Sequence, residues 1–200
     1  MKIKKLFFCL IFFFVSCTNN LYIGDSYVLK ELIKETSTSF IFNKMTSRDL
    51  YYLLDKNGKN IDENKYVIDC IKESKDLFLS IGIFDIIHCF DFSTSPSRYD
   101  TEILKKKLEM VDYYLENSFE LIKEKKKDNR VYIIEQFNPL INNRDLGFNN
   151  YITRLNEILV EKSNQYNFFY LSSKGVEKYL LDDFVLQEGY QNFYLDQIDV

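Results

Sequence analysis

A serine beside a glycine and an aspartate stands where a short apolar run ends. Gly24-Asp25-Ser26 follows the apolar residues 21–23, and apolar residues then recur with helical spacing from Val28 to Ile33. A small residue permits a sharp strand-to-helix turn, and Ser26 then lies at a helix N-terminus, where free backbone N–H groups and the helix dipole favour negative charge. That setting suits a nucleophile whose substrate develops an oxyanion. Helix capping is the alternative interpretation, because Asp and Ser are ordinary N-cap residues.

Two further polar blocks follow in the chain. Residues 80–85 read Ser-Ile-Gly-Ile-Phe-Asp, and residues 196–199 read Asp-Gln-Ile-Asp. In this order and spacing the three blocks resemble those of the SGNH, or GDSL, hydrolases: Gly-Asp-Ser after the first strand, Gly-x-Asn-Asp after the third, and Asp-x-x-His near the end. The resemblance covers nearly the whole chain after residue 20. It implies a flavodoxin-like fold and hydrolysis of esters or acetyl groups on lipids or carbohydrates, without a cofactor.

The resemblance assigns roles residue by residue, and one role is not filled. Ser26 matches the nucleophile, which attacks the acyl carbon, and Asp196 matches the aspartate that orients the base. Asp199 stands where the family has the histidine base. A carboxylate with an ordinary pKa near 4 is a weak base at neutral pH compared with an imidazole near 6.5.

The expected oxyanion donors are also incomplete. The backbone N–H of Ser26 matches one donor, but Phe84 stands at the position of the asparagine donor and offers no side-chain N–H. The third donor is a glycine expected after the second strand, and residues 43–47 contain no glycine. Each lost donor costs about 100-fold to 1000-fold in rate.

His88 is the one histidine in the chain, three residues after Asp85. It is either a displaced base, which would have to come within about 3 Å of Ser26, or a residue packed against the edge of the sheet. Asp85 is either catalytic support or a turn or helix cap.

The spacing of apolar residues predicts the elements that position these blocks. Short apolar runs predict five buried strands, at Leu21–Ile23, Phe40–Phe42, Leu77–Ile81, Val131–Phe137 and Phe168–Leu171. Steps of three or four residues predict helices over Leu104–Ile122 and Ile152–Lys162. Alternating strands and helices force parallel pairing with right-handed crossovers, so we expect a doubly wound α/β fold, a three-layer α/β/α sandwich around a five-stranded sheet. Ligands of such folds bind at the carboxyl ends of the strands.

The first residues resemble a bacterial lipoprotein signal. Lys2, Lys4 and Lys5 precede an apolar run of ten residues, Leu6–Val15, which is too short for a stable membrane span, and Phe14-Val15-Ser16-Cys17 ends it. The resemblance implies cleavage after Ser16 and lipid attachment to Cys17, so residues 1–16 form the signal, 17–20 a lipidated tether and 21–200 a single domain. Ordinary secretion is the alternative. The lipoprotein interpretation places the protein outside the cytoplasm, anchored in the bacterial cell envelope.

Two more cysteines stay with the domain. Cys70 and Cys89 form either a disulfide or two buried thiols, and neither has the spacing of a zinc site, so we expect no metal.

Composition excludes some functions. The net charge is −4, and removing the three lysines of residues 1–16 leaves 23 basic and 30 acidic side chains, a charge of −7. An acidic chain without a basic stripe is a poor nucleic-acid binder. No Gly-rich phosphate loop follows any strand, which disfavours nucleotide binding.

Three functions remain open. A degenerate hydrolase would bind an envelope lipid, glycan or protein at the strand ends, and the missing histidine, asparagine and glycine favour it. A slow serine esterase or deacetylase would act on envelope lipids or glycans. A surface lipoprotein with a structural role needs no cleft. Members of the family continue past the last block into a further helix, so we expect either a truncated coding sequence or a trimmed fold at Val200.

Overall fold

A computed structural model describes ten stretches of the chain. These are residues 20–25, 38–42, 45–55, 61–87, 101–128, 130–138, 146–176, 180–182, 185–186 and 197–198. The strands are β1 Leu21–Asp25, β2 Thr38–Phe42, β3 Leu77–Ser80, β4 Val131–Ile134, β5 Phe169–Leu171, β6 Leu180–Asp182 and β7 Val185–Leu186. The helices are α1 Ser47–Leu54, α2 Ile61–Glu73, α3 Ile83–Ile87, α4 Thr101–Lys125 and α5 Leu146–Tyr166.

The first five strands form one parallel sheet in the order β2-β1-β3-β4-β5. This is the flavodoxin-like order, which changes direction once between β1 and β3. The prediction of a doubly wound α/β fold is therefore confirmed. The short strands β6 and β7 pair antiparallel outside this sheet.

Burial explains why the strands read as continuous apolar runs. Every side chain of β3 and β4 is buried, as expected for central strands covered on both faces. Helices α1, α2, α4 and α5 pack beside one another against the sheet. The predicted helix over residues 28–33 lies outside the described stretches.

An aromatic ladder crosses the sheet. Tyr22, Phe78, Tyr132 and Phe169 are paired in register on β1, β3, β4 and β5. Their ring centroids are 4.7, 4.9 and 5.1 Å apart in that order, and the rings are within 20° of parallel. The first three rings are buried, whereas Phe169 is 54% exposed. Cross-strand aromatic pairs stabilise strand register, so the ladder helps fix how the strand ends align.

The two predicted long helices are confirmed and extend further than the pattern indicated. Their packing includes an ion pair, because the Lys162 ammonium on α5 lies 2.7 Å from the Glu116 carboxylate and 3.1 Å from that of Asp112, both on α4. None of the helices in the described stretches is long and apolar enough to cross a membrane.

Candidate functional site

The carboxyl ends of β1, β3, β4 and β5 meet at one edge of the sheet, because the strands are parallel. This carboxyl edge is where the sequence predicts a site. Its described residues are the ends of those strands, the segment Met45–Ser47 before and at the start of α1, the turn Ile81–Asp85, and the segments that follow β4 and β5.

Gly24 is required by packing at this edge. Its φ is +135°, and a Cβ atom built on it would lie 1.9 Å from the carbonyl oxygen of Ser80 on the neighbouring strand. Real Cβ atoms essentially never approach another heavy atom so closely. Every residue other than glycine would therefore push β1 and β3 apart next to the predicted nucleophile.

Gly82 allows the turn from β3 into α3. Its φ is +110°, and a Cβ atom there would lie 2.9 Å from the Leu155 side chain of α5. The Asp85 N–H closes the turn by donating to the Gly82 carbonyl at 3.1 Å. Both glycines of the predicted blocks thus have a steric role that does not depend on catalysis.

Phe84, which stands at the sequence position of the expected asparagine donor, points into the core. Its side chain is 7% exposed and belongs to the main hydrophobic cluster. The ring carries no hydrogen-bond donor. The sequence expectation that this position lacks a donor therefore corresponds to a buried ring in the structure.

Asp85 binds the first residue of α1. Its carboxylate accepts hydrogen bonds from the Ser47 backbone N–H at 2.6 Å and from the Ser47 hydroxyl at 2.8 Å. Burial raises the pKa of Asp85 to about 6, while the two hydrogen bonds from Ser47 act in the opposite direction. Of the two roles open at the sequence level, the contact favours the helix cap, although the capped helix begins 38 residues earlier in the chain.

The segment before α1 uses its backbone N–H groups locally. Thr46 is the N-cap of α1, and its N–H donates to the Asp49 carboxylate at 3.0 Å, while the Asp49 N–H donates to the Thr46 hydroxyl at 3.2 Å. This is a capping box, in which the backbone N–H groups of Thr46 and Asp49 each have a side-chain acceptor. The N–H groups of Thr46 and Ser47 therefore both donate to carboxylates of the chain itself.

A buried amide pair ends β4. The Gln136 N–H donates to the side-chain oxygen of Asn156 at 2.9 Å, and the Asn156 amide donates to the Gln136 carbonyl at 2.7 Å. Gln136 is 1% exposed, and its own amide donates to the Ile134 carbonyl at 3.0 Å. The Asn156 side chain, on α5, thus makes the two backbone hydrogen bonds that a neighbouring strand would make to Gln136. The strand β4 ends at Ile134 and not at the predicted Phe137.

Glu135 fixes the residues after β5. Its carboxylate accepts from the Ser172 hydroxyl at 2.8 Å and from the Ser173 N–H at 2.5 Å, and its carbonyl accepts from the Ser173 hydroxyl at 2.5 Å. The Glu135 N–H donates to the Leu171 carbonyl at 2.9 Å. Four hydrogen bonds therefore join the ends of β4 and β5.

Gln197 lies at the same edge. Its side-chain oxygen accepts from the Ser172 N–H at 2.8 Å, and its amide donates to the Ser172 carbonyl at 2.9 Å. Both bonds go to the backbone of one residue. Gln197 belongs to the terminal block predicted from the sequence, so the structure brings one member of that block to the end of β5.

Several predicted site residues lie outside the described stretches. They are Cys17, Ser26, His88, Cys89, Asp196 and Asp199. Cys70 is described and is buried on α2. Among the side chains that the structure describes, no group of three or more His, Cys, Asp or Glu residues could hold a metal ion.

Sequence reasoning missed Ser47, Glu135 and Gln197 as structural members of this edge. The sequence does contain a signal for Ser47, because Thr46 and Asp49, which flank it, have the spacing of a capping box at the start of a helix. Glu135 was included in the predicted strand, where its carboxylate had no assigned partner. Nothing in the sequence indicated that Gln197 pairs with a backbone 25 residues away.

The fold is similar to that of several GDSL lipases and esterases of known structure. A lipase from the goat rumen metagenome superposes with a TM-score of 0.64 at 15% identity, over 91% of this chain and 96% of that one. A member of the lipolytic G-D-S-L family from Veillonella parvula gives 0.61 at 14% identity, over 92% and 97%. An acetylxylan esterase from Geobacillus stearothermophilus gives 0.52 at 16% identity, over 90% and 91%.

At these identities the likeness is one of fold. No protein-family model matches the sequence, and no curated protein sequence matches it significantly.

Proposed function

We propose that this protein is a catalytically degenerate hydrolase-like lipoprotein. It is held in a bacterial envelope membrane by a lipid on Cys17, and it binds an acylated lipid or glycan at the carboxyl edge of the sheet. The observation that carries the proposal is the buried ring of Phe84, which occupies the position where the SGNH resemblance expects an amide donor.

The hydrogen bonds before α1 support the same conclusion. The resemblance expects an oxyanion donor after the second strand, and the N–H groups of Thr46 and Ser47 donate instead to Asp49 and Asp85. Loss of the asparagine donor alone costs about 100-fold to 1000-fold in transition-state stabilisation, and loss of the donor after the second strand would multiply that cost. Asp199 in place of a histidine base lowers the rate further.

The ligand class comes from the structural neighbours. Two of them are named as lipolytic enzymes and one as an acetylxylan esterase. An ester-bearing lipid or glycan is therefore the first class to test. The packing at Gly24 and Gly82 supports a compact edge, because Gly24 keeps β1 close to β3 and Gly82 keeps the turn after β3 close to Leu155 of α5.

A fluorophosphonate probe tests the loss of catalysis. The probe reacts with an activated serine, so we expect no labelling of the folded chain from residue 18 onward, and no difference between it and Ser26→Ala. Circular dichroism shows that both proteins are folded. Labelling that disappears in Ser26→Ala would overturn the proposed degeneracy and support the slow esterase.

Binding and anchoring need separate measurements. Acetylated xylo-oligosaccharides and phosphatidylglycerol vesicles are added to the purified chain, and a rise in the thermal midpoint reports binding. The absence of a shift with either probe would favour the structural role. For the anchor, the full chain is expressed in bacteria and extracted with detergent, and Cys17→Ala is expected to move from the membrane fraction to the soluble fraction.

The slow esterase is the second candidate. The observation that favours it is that Ser26, which the SGNH resemblance matches to the nucleophile, directly follows β1, the strand that ends at Asp25. This candidate requires a base from outside the expected position.

A further inference from the structure

The amino ends of the strands form a second edge of the sheet, opposite the carboxyl edge. This amino edge consists of the last turns of α2, α4 and α5 and the connections that lead from them into β3, β4 and β5, residues 70–76, 122–130 and 163–168. The buried ammonium group of Lys126 joins the first two parts, because it donates to the carbonyl oxygens of Ser74 at 2.7 Å and Lys75 at 3.3 Å. These two parts therefore form one continuous surface.

The amino edge is basic, although the chain as a whole is acidic. Its residues include seven basic and four acidic side chains, a net charge of +3, whereas the chain after residue 16 has a net charge of −7. The opposite, carboxyl edge carries the carboxylates of Asp85 and Glu135. The charge of the protein is therefore distributed unevenly along the direction of the strands.

Two lysines of the amino edge, Lys75 and Lys127, are exposed and make no ion pair with another described residue. The other five cations have partners: Lys72 with Asp69 at 2.9 Å, Lys123 with the Tyr166 carbonyl at 2.9 Å, Lys125 with Glu124 at 3.2 Å, Lys126 with Asp128 at 3.0 Å, and Arg130 with Asp76 at 2.6 Å. Lys75 and Lys127 come from connections far apart in the sequence, which is why the sequence shows no basic stripe.

The first strand begins at the same edge. The Leu21 N–H donates to the Asp76 carbonyl at 2.8 Å, so β1 starts beside the connection that carries Lys75. Cys17, to which the proposed function assigns a lipid, lies four residues before Leu21. An extended chain spans at most about 3.5 Å per residue, so the lipid would be attached within about 14 Å of the amino edge. A lipid there holds this edge close to the bilayer.

We propose that the amino edge lies on the anionic headgroups of the bilayer that holds the lipid, with Lys75 and Lys127 as its charged contacts. The inference rests on the proposed function for the lipid on Cys17, but the charged surface can be tested without it. Phe169, the first residue of β5, is 54% exposed and adds an aromatic side chain of the kind that enters the headgroup region. The carboxyl edge then faces away from this bilayer, about 15 Å further along the strands, so its ligand approaches from the aqueous side.

Co-sedimentation with vesicles tests the surface alone, since the chain from residue 18 onward carries no lipid. The vesicles are made of phosphatidylglycerol or of phosphatidylcholine, which has no net charge, and the salt concentration is low because salt screens the attraction. Lys75→Gln/Lys127→Gln removes the two exposed charges of the amino edge. Lys65→Gln/Lys105→Gln is the matched control, because it removes two exposed lysine charges from the first halves of α2 and α4, toward the carboxyl edge.

We expect the unmodified chain to bind phosphatidylglycerol vesicles and not phosphatidylcholine vesicles. Lys75→Gln/Lys127→Gln should bind about 30-fold more weakly, which corresponds to about 1 kcal/mol for each lysine. The control, which has the same net charge, should bind like the unmodified chain, and circular dichroism shows that all three proteins are folded. Equal weakening in both variants, or equal binding of the unmodified chain to both kinds of vesicle, would overturn the proposal.

Acetylation of lysines gives a second measurement that needs no variant. The lipidated full chain is reconstituted in the same two kinds of vesicle and treated with acetic anhydride, and mass spectrometry gives the rate at each lysine. Lys75 and Lys127 should react about fivefold more slowly on phosphatidylglycerol than on phosphatidylcholine, whereas Lys65 and Lys105 should react equally on both. Protection of Lys65 and Lys105 instead would overturn the proposal.

The two measurements also separate this inference from the proposed function. If mass spectrometry finds no lipid on Cys17, the anchoring part of the proposed function fails. The sedimentation of the chain from residue 18 onward then still decides whether the amino edge binds an anionic surface.

Discussion

Replacing Asp85 by asparagine should change how stability depends on pH. The Asp85 carboxyl group has a pKa of about 6 in the folded protein, above its ordinary value of 3.8. Between these two values the folded state retains a proton that the unfolded state has lost. The free energy of unfolding contributed by this group is therefore fully present below about pH 4, and it is lost as the pH rises through 6.

The magnitude follows from the size of the shift. Two pKa units correspond to about 3 kcal/mol at 1.36 kcal/mol per unit, which is an upper value because Asp85 is only partly buried. In Asp85→Asn the side-chain oxygen can accept from the Ser47 N–H, and the amide can donate to the Ser47 hydroxyl. The variant therefore keeps two hydrogen bonds and carries no charge at any pH.

Urea denaturation at pH 4, 5, 6 and 7 measures this difference. We expect the two proteins to be about equally stable at pH 4, and Asp85→Asn to be more stable by up to about 3 kcal/mol at pH 7. Asp69→Asn, on the exposed side of α2 beside Lys72, is the control and should change by less than about 1 kcal/mol. A difference that stays constant with pH, or a less stable Asp85→Asn at pH 7, would refute the assignment.

Three further substitutions test other features of the edge. Gly24→Ala should destabilise the fold by about 3–5 kcal/mol, because the added methyl group meets the Ser80 carbonyl oxygen and φ is positive; urea unfolding measures it, and a loss below about 1 kcal/mol would contradict the packing. Ser47→Ala removes one bond that lowers the pKa of Asp85, so ¹³C NMR should show a still higher pKa for that carboxyl group; a fall would contradict its cause. Phe169→Ala should cost about 1 kcal/mol in thermal unfolding, because this outer ring of the ladder is half-exposed; a cost like that of a buried ring would show that something covers it.

The strands could be predicted because their burial is nearly complete. A central parallel strand is apolar at every position, so each run in the sequence, such as residues 77–80, marks a strand directly. The end of β4 was predicted three residues too late. The apolar Phe137 extends the run, but the amide of Asn156 takes the backbone bonds of Gln136, and such a long-range replacement leaves no local pattern.

The helix α1 was missed for a different reason. Leu50 and Leu54 lie one turn apart and are both buried, yet α1 has only eight residues, which is too short for a clear period. At the site, the lack of a donor at Phe84 was evident from residue type alone. The partners of Asp85 and Gln197 were not, because each lies 25 or more residues away and is brought close only by the order of the strands.

The close contact between Gly24 and Ser80 affects how function can be inferred for proteins with this fold. Because there is no room for a methyl group at Gly24, the packing of β1 against β3 requires glycine there whether or not the protein hydrolyses a substrate. A Gly-Asp-Ser tripeptide is therefore evidence for the close spacing of these two strands, and only weaker evidence for catalysis. Position 84 faces no such constraint from the backbone. By the SGNH resemblance, an asparagine at position 84 tells more about an oxyanion donor than the glycine at position 24 does, because its side chain carries an N–H.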